Sequence, residues 1–165
     1  MSIGKETIRQ CPACGEGELE SRVAEEEVEY RGKTRNLPLH LSVCNHCGSE
    51  VAGKEESRNN KRVMNAFKKE VDGLLAGASI RQFRKKFGLN QKLLADLLGG
   101  GEVAFSRYES DDVVQSQPMD ALIRLCLKSP NNLKLLAESK KMDLPVKVTK
   151  RISEGQSAES TRLRA

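Results

Sequence analysis

Residues 83–110 read FRKKFGLNQKLLADLLGGGEVAFSRYES, and this stretch decides the architecture of the second half of the chain. Gly88 closes one helical segment. Asn90, whose short side chain accepts from backbone N–H groups of a first turn, opens another over 90–98. Gln91 and Lys92 then fall in that first turn, beside the partial positive charge of a helix N-terminus, an end suited to phosphate. Gly99, Gly100 and Gly101 break the chain, and a third helix is expected over 102–110. It carries Ala104 and Phe105 inward and Ser106 and Arg107 outward. Two helices joined by a short glycine turn form the helix-turn-helix pattern, whose second helix enters the major groove of duplex DNA.

Outward from this stretch, helical segments at 79–87, 118–128 and 131–140 bring the number of short helices to five. With such short connections they define a compact all-α domain over 79–139. Ser79 is the expected N-cap of its first helix. Leu122, Leu125 and Leu133 line either the core of this domain or a dimer seam. Cys126, among leucines in LIRLCLK, reads as a small apolar core residue. Upstream, Val63, Phe67, Val71 and Leu74/Leu75 recur at helical spacing within 54–76, so a helix is expected there. Residues 63–78 are expected to serve as a linker helix between the two halves.

The first half carries a different signal. Cys11–Cys14 and Cys44–Cys47 are two Cys-x-x-Cys knuckles, 29 residues apart, and four thiolates so paired suit one tetrahedral Zn²⁺. Alternating apolar positions at Val28/Tyr30 and Leu37/Leu39/Leu41/Val43 flank the turn signal Arg31-Gly32-Lys33, so a short antiparallel sheet brings the knuckles together. A small α+β, zinc-ribbon-like domain over 1–62 follows. With four ligands and no open position the metal is structural, one ion contributing folding free energy. His46 is expected facing solvent or just outside the ligand set, and His40 on the polar side of its strand. Neither has a nucleophile or carboxylate constellation beside it, so no catalytic or cofactor-binding residue is assigned.

Charge separates the halves further. Residues 1–60 hold 8 Lys/Arg and 11 Asp/Glu, whereas 61–165 hold 20 and 12, within a chain of net charge +5. An acidic module facing one partner and a basic module facing a polyanion fit this asymmetry. Arg81, Arg84, Lys85 and Lys86 alone would read as a solvated helix face. Beside Gln91, Lys92, Ser106 and Arg107 they read as phosphate-positioning. The tail over 140–165, with 7 Lys/Arg and 3 Asp/Glu, is expected to be a solvated, largely disordered segment with an edge strand near 144–148, a phosphate-binding arm being the alternative. MSIGKETIRQ has no apolar run of a signal peptide and no stretch is of membrane-spanning length, which points to the cytoplasm.

Residues 83–110 resemble the Xre/Cro-type helix-turn-helix, with Gln91 opening the second helix and Ser106-Arg107-Tyr108-Glu109 closing the third. Together with CPACGEGEL, YRGK, CNHCG and KEES, the whole of 9–139 resembles the MqsA (YgiT-type) antitoxins. The resemblance implies a type II antitoxin whose zinc-binding domain neutralises an RNA-cleaving toxin of the MqsR type. It implies a homodimer that represses its own operon at a palindromic operator in double-stranded DNA. Cys11, Cys14, Cys44 and Cys47 carry over as zinc ligands. Arg107 carries over as a base-contacting residue able to pair bidentately with guanine. Where well-known members carry Asn before Ala-Phe, this chain has Val103, which offers apolar contact to a thymine methyl and predicts a different operator. The rival readings are a stand-alone zinc-containing regulator with no toxin and, less favoured by the closed ligand set, a zinc enzyme.

Overall fold

A computed structural model describes residues 10–101 and 103–162, in two units, Met1–Met64 and Asn65–Ala165. The N-terminal segment read as lacking a signal, up to residue 9, lies outside the described residues, as does Glu102 of the helix expected over 102–110.

In the first unit, β1 (Leu19–Tyr30) and β2 (Lys33–Cys44) form an antiparallel hairpin running from Leu19 opposite Cys44 to Tyr30 opposite Lys33. Arg31 and Gly32 close it with φ of 50° and 72°, the left-handed pair a two-residue hairpin loop needs. A short β3 (Glu50–Val51) pairs with the other edge of β2, opposite Ser42 and Val43. The sheet is longer than expected. Pairing continues unbroken through the charged run Glu25–Glu26–Glu27, because the turn sets the register for every pair behind it.

Helix α1 (Lys54–Val71) begins with Glu55 and Glu56 in its first turn and ends with Lys68 and Lys69 in its last, both favourable to the helix dipole. Beyond the end of β3, Asn60 completes the β2 edge. Its Oδ1 accepts from His40 N at 2.6 Å and its Nδ2 donates to His40 O at 2.8 Å. One carboxamide thus does for His40 what a strand residue would. Ser42 Oγ donates to Glu56 Oε1 at 3.0 Å in the buried interior of the same unit.

The second unit contains α2 (Gly77–Phe87), α3 (Gln91–Leu98), α4 (Ala104–Glu109), α5 (Gln117–Lys128), α6 (Asn131–Ser139) and α7 (Val146–Arg162). Phe83, Phe87, Leu94, Leu97, Phe105, Ile123 and Leu133 form its core, each buried. Burying a side chain of this size stabilises by about 1.5–3 kcal/mol. Phe83 and Phe87 meet edge to face at 5.5 Å. Cys126 lies in this core, and burial pushes its thiol up to about 11. Leu133 belongs to the core and Leu122 packs against it, whereas Leu125 is 56% exposed.

Asn90 caps α3 as expected, its Oδ1 accepting from Leu93 N at 2.7 Å. Ser79 does not cap α2. The helix begins two residues earlier with Ala76 at the cap and no side-chain bond there. The Gly77 N–H donates to Asp111 Oδ1 at 3.2 Å, so a residue 34 positions away supplies the acceptor a local cap would have given. The break between units falls inside α1, and residues 65–71 belong with the second unit.

The tail is the largest departure from expectation. Residues 146–162 form α7 rather than an edge strand followed by disorder. Val148 and Ile152, four apart and so on one helical face, are 1% and 0% exposed within the core of the second unit. The composition is too polar for an independent core, but two apolar side chains suffice when a packed surface receives them.

Candidate metal centre and nucleic-acid interface

The two knuckles close on each other in the first unit. Cys11 N donates to Gly17 O at 2.8 Å, and Cys44 N to Ser49 O at 3.0 Å. Gly15 N returns to Cys11 O at 2.9 Å and Gly48 N to Cys44 O at 3.1 Å, so both loops share one design. Their bridge is Asn45, whose N–H donates to Glu18 O while its Oδ1 accepts from Glu18 N, both at 3.0 Å.

The result is a cluster of Cys11, Cys14, Cys44 and Cys47, all sulfurs within 4.8 Å of one another. Cys11 Sγ lies 3.8 Å from Cys47 Sγ, and Cys14 Sγ 3.7 Å from Cys44 Sγ. Tetrahedral zinc with Zn–S of about 2.3 Å requires S···S of about 3.8 Å, so the set fits one such ion. The Ser49 hydroxyl, 3.2 Å away, and then its N–H hold the Cys47 thiol down to about 6. The backbone N–H of Gly17, then that of Glu16, lowers Cys14. Cys44 receives an N–H from Cys47 that lowers it, but burial and the neighbouring thiols leave it raised. A metal supplies positive charge that favours all four thiolates.

His46 is not part of the ligand set; its Nε2 lies 3.1 Å from Glu16 Oε2 on the exposed side of the knuckles. Gly17 is a site residue that spacing did not single out. A Cβ there would lie 2.4 Å from Cys44 Sγ and 2.6 Å from His46 Cβ. Its signal was the second glycine of Cys14-Gly15-Glu16-Gly17.

In the second unit, α3 and α4 are joined by Gly99, Gly100 and Gly101, all with φ between 86° and 100°. Side chains rarely adopt that region, so the triplet is what permits so tight a connection. Lys92 is exposed in the first turn of α3. Gln91 is half-buried and its Nε2 donates to Glu109 Oε2 at 3.1 Å. Val103 sits at the cap position of α4, 54% exposed, and Arg107 is exposed one turn later on the same face. Ser106 is half-buried, its hydroxyl turned back to Val103 O at 2.9 Å. Ala104 and Phe105 point inward as expected.

Glu109 is the residue that motif reading undervalued. It is 3% exposed, and Arg84 grips both its carboxylate oxygens, Nη2 to Oε2 at 2.9 Å. Arg81 Nη2 donates to Glu109 O at 3.0 Å. Burial pushes the Glu109 carboxyl up, but hydrogen bonds from Arg84 and Gln91 outweigh it and hold the group below the usual range. Arg84 is therefore a largely buried brace from α2 to α4, and Arg81 adds to it from an exposed position. Of the basic run, Arg81, Lys85 and Lys86 are exposed.

Residues 9–138 match the family described as the antitoxin component of bacterial toxin-antitoxin systems, MqsA. The chain is also 33% identical over 126 residues to antitoxin MqsA of Escherichia coli (strain K12), covering 75% of this chain and 96% of that one. This chain belongs to the MqsA antitoxin family. Membership makes it an antitoxin of a toxin-antitoxin system, with a toxin as partner. The four-cysteine centre is consistent with the structural zinc of MqsA-type antitoxins. The family match stops at 138, so α7 lies beyond it. No helix among the described residues is long and apolar enough to cross a membrane.

Proposed function

We propose that this MqsA-family antitoxin neutralises an RNA-cleaving toxin of the MqsR type through the zinc-binding region 1–62. As a homodimer it represses its own operon at a palindromic operator through the helix-turn-helix of 79–139. The role is regulatory and non-enzymatic, in the cytoplasm. The observation that carries the DNA-binding half is the pairing of exposed Val103 and Arg107 on α4, a helix whose closing Glu109 is clamped to α2 and α3. Recognition needs a side chain presented from a rigid element, and this brace provides it. Arg107 reads guanine, Val103 meets a thymine methyl, and Gln91 and Lys92 set register on the phosphates, with Ser106 supporting the start of α4.

The toxin-binding half is supported by family membership and by the acidity of the first unit. Glu25, Glu26, Glu27 and Glu29 are all exposed on β1, an edge strand of the sheet. Such a surface suits a basic protein partner. Co-expression with the product of the adjacent reading frame, followed by pull-down and growth measurement, tests this half. A stable complex that restores growth is the expected result, and a toxic neighbour that neither binds nor is neutralised refutes it. Retention of a duplex carrying the protein's own promoter over an unrelated one tests the DNA-binding half.

A further inference from the structure

Helix α7 lies beyond the family match and carries Lys147, Lys150 and Arg151 near its start. Lys147, in the first turn, is locally unfavourable, because a helix N-terminus already bears partial positive charge, and Lys150 and Arg151 follow in the next turn. No acidic residue occupies the first turn of α7 to offset them. The orientation of the helix gives them a use. Val148 and Ile152 face the core, and Ser153, on one flank, receives Lys134 Nζ of α6 at 3.4 Å. Arg151, on the opposite flank, reaches α2, where its Nη1 donates to Lys85 O at 2.8 Å. The same atom stands 3.0 Å from where a Cβ of Gly88 would be, two residues before the Asn90 cap of α3. At 100° per residue, Lys147 lies on the Arg151 side of the helix, whereas Lys150 points directly away from the Val148–Ile152 face, nearer Ser153 than Arg151. Lys147 and Lys150 are exposed, as are Lys85, Lys86 and Lys92.

We infer that α7 is a second phosphate-binding element. It continues the positive surface of α2 and the α3 N-terminus and extends the protein's grip along the DNA backbone. Arg151 anchors the helix by taking up the C-terminal carbonyls of α2, and Lys147, on that flank, and Lys150, on the outer face, meet phosphates outside the base-reading contacts of α4. The occupant is duplex DNA rather than an acidic protein, since the surface is continuous with the α3 end. The inference rests on the DNA-binding reading above.

The test compares the full-length protein with Lys147→Gln/Lys150→Gln and with a control, Lys134→Gln on the other flank, by duplex binding across a salt series. Each phosphate contact contributes about 0.9 to the slope of log affinity against log salt. The double variant is expected to lose up to about 1.8 of that slope, on operator and unrelated duplex alike, with Lys134→Gln unchanged. An unaltered slope in the double variant overturns the role of α7 while leaving the helix-turn-helix reading intact. A loss in the control half that of the double variant or more, and so at least equal per charge removed, also overturns it, by reducing the effect to net charge. A wild-type protein that binds no duplex at all overturns both readings.

Discussion

Lys69 Nζ lies 2.7 Å from Asp111 Oδ1, with the Lys69 side chain 1% exposed. The same ammonium donates to Tyr108 O at 2.9 Å, and Asn65 Nδ2 donates to Asp111 O at 2.8 Å. Asp111, held at φ 58°, also accepts from Gly77 N. A single carboxylate thus joins the end of α1, the start of α2 and the loop after α4. Aspartate tolerates the left-handed region better than most residues, so it serves both backbone and charge.

Removing either partner of this pair should have unequal effects. Asp111→Asn keeps the shape but leaves a buried ammonium without its counter-charge, and is expected to cost about 3–5 kcal/mol. Lys69→Met removes the buried charge itself and should cost distinctly less. Urea unfolding of both variants checks the order, and a reversed order would show that the pair is not the brace described.

Glu109 makes stability depend on acidity. Its carboxyl is held low in the folded protein, so the stabilisation is fully present above the unfolded value of about 4.3 and is lost as pH falls through the folded one. Glu109→Gln should therefore melt below wild type at neutral pH, and the gap should close in acid. Thermal melts between neutral and strongly acidic pH report it; a gap of constant size across that range contradicts the clamp.

At the metal centre, Gly17→Ala keeps all four thiols yet places a methyl 2.4 Å from Cys44 Sγ. Zinc affinity is expected to fall at least tenfold, a loss of about 1.4 kcal/mol or more. Cys44→Ser should abolish stoichiometric metal and the order of the hairpin. Competition with a chromophoric chelator measures both, and wild-type affinity in the alanine variant would mean the loop yields without cost.

On α4, Arg107→Ala should weaken binding to the preferred operator by about 1–3 kcal/mol and flatten preference at one base pair. Val103→Asn should shift preference toward adenine at the neighbouring position, since Asn pairs bidentately with it. Lys92→Ala should instead weaken all duplexes evenly, lowering the salt slope by about one. Selection from randomised duplexes distinguishes these patterns. An unchanged base preference in the Arg107 variant removes it from the reading face.

Much of the molecule was legible locally. Cys11–Cys14 and Cys44–Cys47 announce a metal centre through spacing alone. Asn90, the glycine triplet and the inward Ala104–Phe105 pair announce two helices and a turn, because caps, breakers and helical period act within a few residues. What the residues by themselves determined was therefore the two-part architecture, the four-cysteine cluster and the place of the two helices around the glycine turn. Only the tertiary structure decided that Arg84 braces Glu109 across 25 positions, and that Asn60 completes a strand edge 20 positions away. It likewise decided that Val148 and Ile152 order a polar tail. A charged or amide side chain reads alike whether it meets water or a buried partner. Its role is set by which group the fold brings within hydrogen-bonding distance, and that distance is a property of the packed chain.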